Sequence, residues 1–240
     1  MRRLVPFLVA LPALLPLFAC GAPQLSEFLS APVPVDEPVG ENGELEPDAA
    51  QQPYEMVLSL YDYIEPGSEP DEVVDGKPFY YVYLWLPRAV PELGVRAIAP
   101  VRNYATPESG DVTTPAWEAG QDDFDTESDI FITYERADIY SEGDIPNADS
   151  VPWRRVAWND DSEEVIAHPS GENLNALLRV TDGSELTVGL VRIGITDYKN
   201  EEFAGTYLVQ VGIRDKNLER AILARSHEEL YEKLQAAPEN

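Results

Sequence analysis

The run Phe79–Leu86, with the sequence FYYVYLWL, constrains the fold more than any other segment. An uninterrupted apolar and aromatic run of this length is typical of a strand that is buried on both faces. Other segments of strand length are separated from it, and from one another, by clusters of Gly, Pro and Asp. They are Val57–Ile64, Gly94–Val101, Asp129–Arg136, Asn175–Thr181, Leu186–Ile195 and Gly205–Ile213. Many short strands with turn signals between them predict a β-sandwich or a barrel.

One helix is predicted near the C-terminus. The sequence SHEE from Ser226 to Glu229 has the form of a capping box, with the serine as N-cap and the glutamate at the third helical position. We expect this helix to end at about Ala236. Segments 105–128 and 137–172 are predicted to be long acidic or polar connections, which are often functional in a domain of this size.

The N-terminal residues have the pattern of an export signal. Arg2 and Arg3 precede a short apolar stretch, and the small residue Ala19 stands before Cys20, the only cysteine of the chain. The sequence LFAC that ends at Cys20 resembles the bacterial lipobox, in which the cysteine is acylated and becomes the new N-terminus. We therefore predict a signal peptide over residues 1–19 and a lipid anchor on Cys20. An ordinary signal peptide with an unrelated cysteine is the alternative.

The predicted organisation after the signal peptide has two parts. Residues 20–53 are acidic and proline-rich, which indicates an extended tether, and residues 54–240 form the folded domain. Gly21 follows the lipidated cysteine in place of the aspartate that usually retains lipoproteins at the inner membrane. We therefore expect the protein to be held in the outer membrane, at the cell surface or on the periplasmic face.

Composition limits the classes of partner. The formal net charge is −27, so the surface should repel nucleic acid and attract divalent cations and basic partners. The sequence contains no nucleophile elbow, zinc-protease motif or P-loop, and His168 and His227 are isolated, which predicts a protein that is not an enzyme. Acid pairs and four tryptophans leave carbohydrate binding or cleavage open. The basic patch of Trp153, Arg154 and Arg155 either pairs with nearby acids or presents a partner site.

Several ordered blocks of the chain resemble one known family. They are Tyr61–Gly67, Val74–Gly76, Tyr80–Pro87, Glu92–Pro100, Gly194–Tyr198, Gly205–Gly212 and His227–Leu230. These blocks resemble the major outer-membrane lipoprotein of pathogenic leptospires and its relatives in marine gammaproteobacteria. The resemblance implies a mainly β fold, a jelly-roll β-sandwich with a few short helices and a C-terminal helix. It also implies surface location, calcium binding and, in the leptospiral member, adhesion to host extracellular matrix.

The same resemblance implies a set of calcium ligands. Carried over position by position, it assigns the carboxylates of Asp129, Asp160 and Asp161 and the carbonyls of Ile130 and Leu174. Calcium takes 6–8 oxygen ligands, in which carboxylates, carbonyls and water are mixed. In a second register of the alignment, Asp125 takes the place of Asp129. Without the resemblance, these acids are better explained as solvated side chains of a very acidic protein.

The sequence thus predicts a non-catalytic envelope lipoprotein with a calcium-stabilised jelly roll, acting in binding or structure. Its partners would be the membrane, through the lipid, and a surface protein or polysaccharide, with a homodimer left open. A lipid-anchored carbohydrate-binding or carbohydrate-active protein is one alternative. A matrix adhesin is another, although a domain this acidic would bind weakly to anionic extracellular matrix.

Overall fold

Strands dominate the part of the chain that the computed structural model describes, which comprises residues 54–101, 105–120, 128–160, 176–199, 202–214 and 218–237. The strands are β1 (Glu55–Ile64), β2 (Glu72–Val74), β3 (Lys77–Leu86), β4 (Leu93–Ile98), β5 (Val112–Thr113), β6 (Ile130–Arg136), β7 (Arg154–Asn159), β8 (Ala176–Val180), β9 (Gly189–Asp197), β10 (Gly205–Ile213) and β11 (Ile222–Ala224). The helices are α1 (Pro115–Gly120), α2 (His227–Ala236) and the 3₁₀ helices Glu142–Ser150 and Gly183–Glu185. Among the described residues, no helix has the length and apolar character needed to span a membrane.

The strands form two sheets with the topology of a jelly roll. One sheet has the order β5-β1-β10-β4-β8 and the other the order β11-β3-β9-β6-β7, with β2 paired to β3. Strand β1 pairs with β10, β3 with β9, β4 with β8 and β6 with β7, and every pair is antiparallel. Once the short strands β2, β5 and β11 are set aside, the first of the eight long strands that the structure describes thus pairs with the last, the second with the seventh, and so on inward. This is a long hairpin rolled into two layers, so the predicted jelly-roll sandwich is confirmed.

The core lies between the inner faces of the two sheets. Alternate residues of β3 and β9, such as Val82, Leu84 and Ile193, meet residues of β10 such as Val209, and all four are fully buried. Their alternation follows from the two-residue period of a strand. The intervening residues of β3 also lie in packed surroundings, because Trp85 joins a second apolar cluster on the outer face. The prediction that Phe79–Leu86 is buried on both faces is therefore confirmed.

The outer cluster is built by the C-terminal helix and the longer 3₁₀ helix. Leu230 of α2 and Ile145 of the 3₁₀ helix are fully buried there, against Trp85. The predicted start of α2 is confirmed, since the Ser226 Oγ accepts the Glu229 N–H at 3.2 Å. The reciprocal bond goes one residue further back than in a standard capping box: the Arg225 N–H donates to the Glu229 Oε2 at 2.8 Å.

The two predicted long connections are wrong in part. Segment 105–128 contains β5 and α1, and segment 137–172 contains the 3₁₀ helix and β7. Strand β7 was missed because it lies at the end of its sheet and is mostly half-exposed, so its sequence RRVAWN lacks a continuous apolar run. Cys20, the signal peptide, the tether, Asp125, Asp161, His168 and Leu174 lie outside the described residues.

A buried ion pair links the two sheets. Asp62 of β1 is 2% exposed, and its Oδ2 accepts hydrogen bonds from the Tyr207 Oη at 2.7 Å and the Arg225 Nε at 2.9 Å. Arg225 follows β11 in the opposite sheet and also donates to the Asp71 Oδ2 at 3.0 Å and the Tyr81 carbonyl at 2.6 Å. Burial, reinforced by the Asp62 charge, raises the pKa of Tyr207 far above its ordinary value, which keeps its hydroxyl a donor.

We expect Asp62→Ala to lower the free energy of unfolding by about 3 kcal/mol, because the Tyr207 hydroxyl and the Arg225 guanidinium both lose a buried acceptor. Urea denaturation measures the change. The control is Glu185→Ala, which removes the exposed Arg154–Glu185 pair and should cost at most about 1 kcal/mol. Equal losses in the two variants would contradict a special role for the buried pair.

Candidate functional site

Asp129 stands immediately before β6 and is held by the end of β9. The pairing of Ile130 with Asp197 brings the two segments together. The Asp129 N–H donates to the Asp197 Oδ2 at 3.1 Å, and the Asp129 carbonyl accepts the Tyr198 N–H at 2.6 Å. The backbone of Asp129 is thus fixed on both sides, and the residue is only 4% exposed.

The Asp129 carboxylate has one neutralised oxygen and one orphaned oxygen. Its Oδ2 lies 2.9 Å from the Lys199 Nζ. Its Oδ1 is buried and has no hydrogen-bond partner among the described residues. A buried anionic oxygen without a partner is costly, so this atom is suited to receive a cation.

The charges of two further carboxylates, those of Asp197 and Asp160, act on Asp129. Burial is the main cause that raises the pKa of Asp129, and the charges of Asp197 and Asp160 raise it further, whereas Lys199 lowers it. Asp160 follows β7, and its position beside the start of β6 follows from the pairing of Ile132 with Asn159. The site therefore combines three acids with the ammonium of Lys199, a surplus of negative charge in a mostly buried setting.

The structure brings together some of the predicted ligands and adds one. Asp129 and Asp160 lie within electrostatic reach of each other, and Ile130 is buried beside them. Asp161 and Leu174, like the alternative Asp125, lie outside the described residues. Asp197 is not among the predicted ligands; it is fully buried and also accepts the Lys199 N–H through Oδ1 at 2.8 Å. The available signal was a carboxylate at the end of an apolar strand.

A second cluster of metal-ligating side chains lies where the 3₁₀ helix meets α2. Asp149, His227 and Glu228 form the one group of three within the described ranges whose ligand atoms all lie within 4.8 Å of one another. The His227 Nε2 is 3.2 Å from the Asp149 Oδ1 and 3.2 Å from the Glu228 Oε1. The His227 Nδ1 is buried without a partner.

The unpartnered Nδ1 favours a structural role for this cluster. A metal on Nε2 of a neutral imidazole requires the proton on Nδ1, where a buried donor would have no acceptor. With the proton on Nε2, the ring instead donates to the two carboxylates and ties α2 to the 3₁₀ helix. His227 is 6% exposed, and its ring packs edge-on against that of Tyr83, with 5.7 Å between the ring centres.

The four tryptophans all take part in internal packing. Trp85 and Trp117 are buried. Trp153 donates from Nε1 to the Ala148 carbonyl at 3.2 Å, and Trp158 stacks on Phe131 at 5.6 Å. In the two half-buried tryptophans, one face of Trp153 is covered by the Arg192 guanidinium at 4.8 Å and one face of Trp158 by the Phe131 ring.

The basic patch pairs with nearby acids. The Arg154 guanidinium lies 2.7 Å from the Glu185 Oε2, and the Arg155 Nε lies 3.2 Å from the Glu135 Oε1. The first of the two interpretations given above, local neutralisation, therefore agrees with the structure.

The raised pKa of Asp129 predicts a pH dependence in the presence of a chelator. The destabilising contribution of a carboxyl with a raised folded-state pKa is fully present above that pKa and disappears as the pH falls through it. Relative to the wild type, Asp129→Asn should therefore gain stability as the pH is raised from about 4 toward neutrality. Denaturation curves in EDTA at a series of pH values measure the difference. A difference that is constant or has the opposite slope would contradict the assigned environment.

Comparison with known protein families gives a match. The sequence model of the Lipl32 family, described as surface lipoprotein of the order Spirochaetales, matches residues 48–218. That range includes β1 to β10 and the Asp129, Asp160 and Asp197 carboxylates. No curated protein matches the chain. The match supports a membrane-anchored location at the cell surface. Because it covers more than half of the chain, the chain belongs to the Lipl32 family of surface lipoproteins.

Proposed function

We propose that this chain is a non-catalytic, lipid-anchored lipoprotein of the outer membrane whose jelly-roll domain is stabilised by calcium. Membership of a surface lipoprotein family supports the envelope location. The lipobox-like sequence that ends at Cys20 supports attachment through the cysteine. Several acyl chains on one residue would anchor the protein stably, whereas a single chain binds membranes only weakly.

The observation that carries the calcium proposal is the orphaned Oδ1 of Asp129. It is a buried anionic oxygen, and the charges of Asp160 and Asp197 act on the same carboxylate. Hard oxygen ligands of this kind suit Ca²⁺, and the ion would offset the mutual repulsion of the acids. In our proposal, Asp129 and Asp160 are joined by Asp161 and by the carbonyls of Ile130 and Leu174.

We assign the domain a binding or structural role. Two of the tryptophans are buried, one face of Trp158 stacks on Phe131, and Arg154 is paired with Glu185, so these groups favour packing over carbohydrate binding. The net charge of −27 likewise argues against adhesion to anionic matrix. A basic surface protein, or a polysaccharide bound through bridging cations, is the partner that this charge favours.

The calcium proposal predicts a rise in melting temperature when calcium replaces EDTA. Ligand-linked stabilisation grows as RT ln(1 + [L]/Kd), so millimolar calcium at a micromolar site is worth about 4 kcal/mol. Asp129→Asn and Asp161→Ala should each remove the rise. Differential scanning calorimetry measures it, and Asp138→Asn, which changes an exposed acid on another part of the domain, is the matched control. No rise in the wild type, or an equal rise in Asp129→Asn, would refute the site.

The anchor proposal predicts that Cys20→Ala abolishes lipid attachment. The variant has no other thiol that could be acylated, so it should leave the membrane fraction. Mass spectrometry of the N-terminal peptide, together with fractionation, measures both effects. An unmodified Cys20 in the membrane-bound wild-type protein would instead indicate an ordinary signal peptide.

A further inference from the structure

We infer that Lys199 is a built-in counter-ion of the proposed calcium site, and that calcium must displace its ammonium group from Asp129. The inference rests on the function proposed above, because it concerns the affinity and regulation of the same site. It assigns to this lysine two tasks, which are to neutralise Asp129 when calcium is absent and to weaken the binding of calcium when it is present.

The two partners of this ion pair differ in freedom. The Lys199 Nζ lies 2.9 Å from the Asp129 Oδ2, yet the side chain of Lys199 is 59% exposed and that of Asp129 is 5% exposed. Asp129 is also fixed through its backbone N–H and carbonyl. The carboxylate therefore stays in place, and the mostly exposed side chain of Lys199 is the partner that moves.

The backbone keeps Lys199 beside the site even when its side chain leaves. The Lys199 N–H donates to the Asp197 Oδ1 at 2.8 Å, and the preceding Tyr198 N–H donates to the Asp129 carbonyl. The ammonium therefore stays tethered within reach of the carboxylate. When calcium leaves, it can return at once, as an intramolecular ligand does.

Charge makes the two cations mutually exclusive. A calcium ion on the orphaned Oδ1 and an ammonium on Oδ2 would repel each other and divide the single negative charge of one carboxylate between them, which favours one cation at a time. Lys199 must therefore move away when calcium binds. The apparent calcium affinity is reduced by the stability of the pair that is broken.

Lys77 provides a charge-matched comparison in the same region. Its Nζ donates to the carbonyls of Asp197 at 3.2 Å and Tyr198 at 2.6 Å. Among the described residues, the cation that engages the Asp129 carboxylate is Lys199, through Oδ2, and not Lys77. Replacement of Lys77 removes the same charge from the neighbourhood without breaking the proposed competition.

The test compares the full-length lipoprotein in detergent as wild type, Lys199→Met and Lys77→Met. Isothermal titration with calcium should give a dissociation constant for Lys199→Met that is lower than that of the wild type by about tenfold or more, because a charged hydrogen bond no longer has to be broken. In EDTA, the same variant should melt at a lower temperature than the wild type. Lys77→Met should change the calcium affinity much less.

The outcomes separate the inference from the proposal on which it rests. If calcium binds the wild type and Lys199→Met equally, the competition is wrong and the calcium site stands. If Lys77→Met lowers the calcium dissociation constant as much as Lys199→Met does, the effect comes from the loss of any nearby positive charge, and the ion pair has no special role. If calcium binds none of the three proteins, the calcium site itself is refuted, and the inference falls with it.

Discussion

The antiparallel pairing of β3 with β9 is the contact on which both layers of packing depend. It runs from Tyr80 opposite Ile195 to Leu86 opposite Gly189, through the middle of one sheet. Its inner face supplies much of the sandwich core, and its outer face carries the cluster covered by α2 and the 3₁₀ helix. Because β9 also pairs with β6, the same strand delivers Asp197 to Asp129.

Close packing on the outer face explains a small residue in the centre of β9. A Cβ atom at Gly194 would lie 2.8 Å from the Tyr81 ring and would also collide with the Thr133 hydroxyl. Two residues away, the Arg192 guanidinium lies 3.8 Å from the centre of the Tyr81 ring and 2.7 Å from the Glu135 Oε2. Aromatic rings and paired charges thus cover the part of this face around Gly194.

The strands that could be predicted from the sequence are those that consist of continuous apolar runs. Phe79–Leu86 and Gly205–Ile213 are of this kind, and the capping box gave the start of α2. Strand β7 could not be found, because at the end of a sheet half-exposed polar residues carry no clear period. The jelly-roll order came from family resemblance, since local patterns do not state which distant strands pair.

The candidate site was predictable only in part for a related reason. Asp129 and Asp160 followed from the resemblance, and both are near each other in the structure. Asp197 and Lys199 depend on the register in which Ile130 faces Asp197, which no local feature of either segment encodes. The contacts of Asp197 and Lys199 with Asp129 could therefore be identified only from the pairing of β6 with β9 in the structure.

The pairing of the first long strand with the last also has a mechanical consequence. β1 is hydrogen-bonded to β10 over a ladder that extends from Glu55 opposite Ile213 to Ile64 opposite Gly205. A pulling force applied at Tyr54 along β1 would act across the ladder bonds between β1 and β10. Such a force loads many bonds in shear at once, so the domain is joined to whatever precedes it by a strand that resists unzipping.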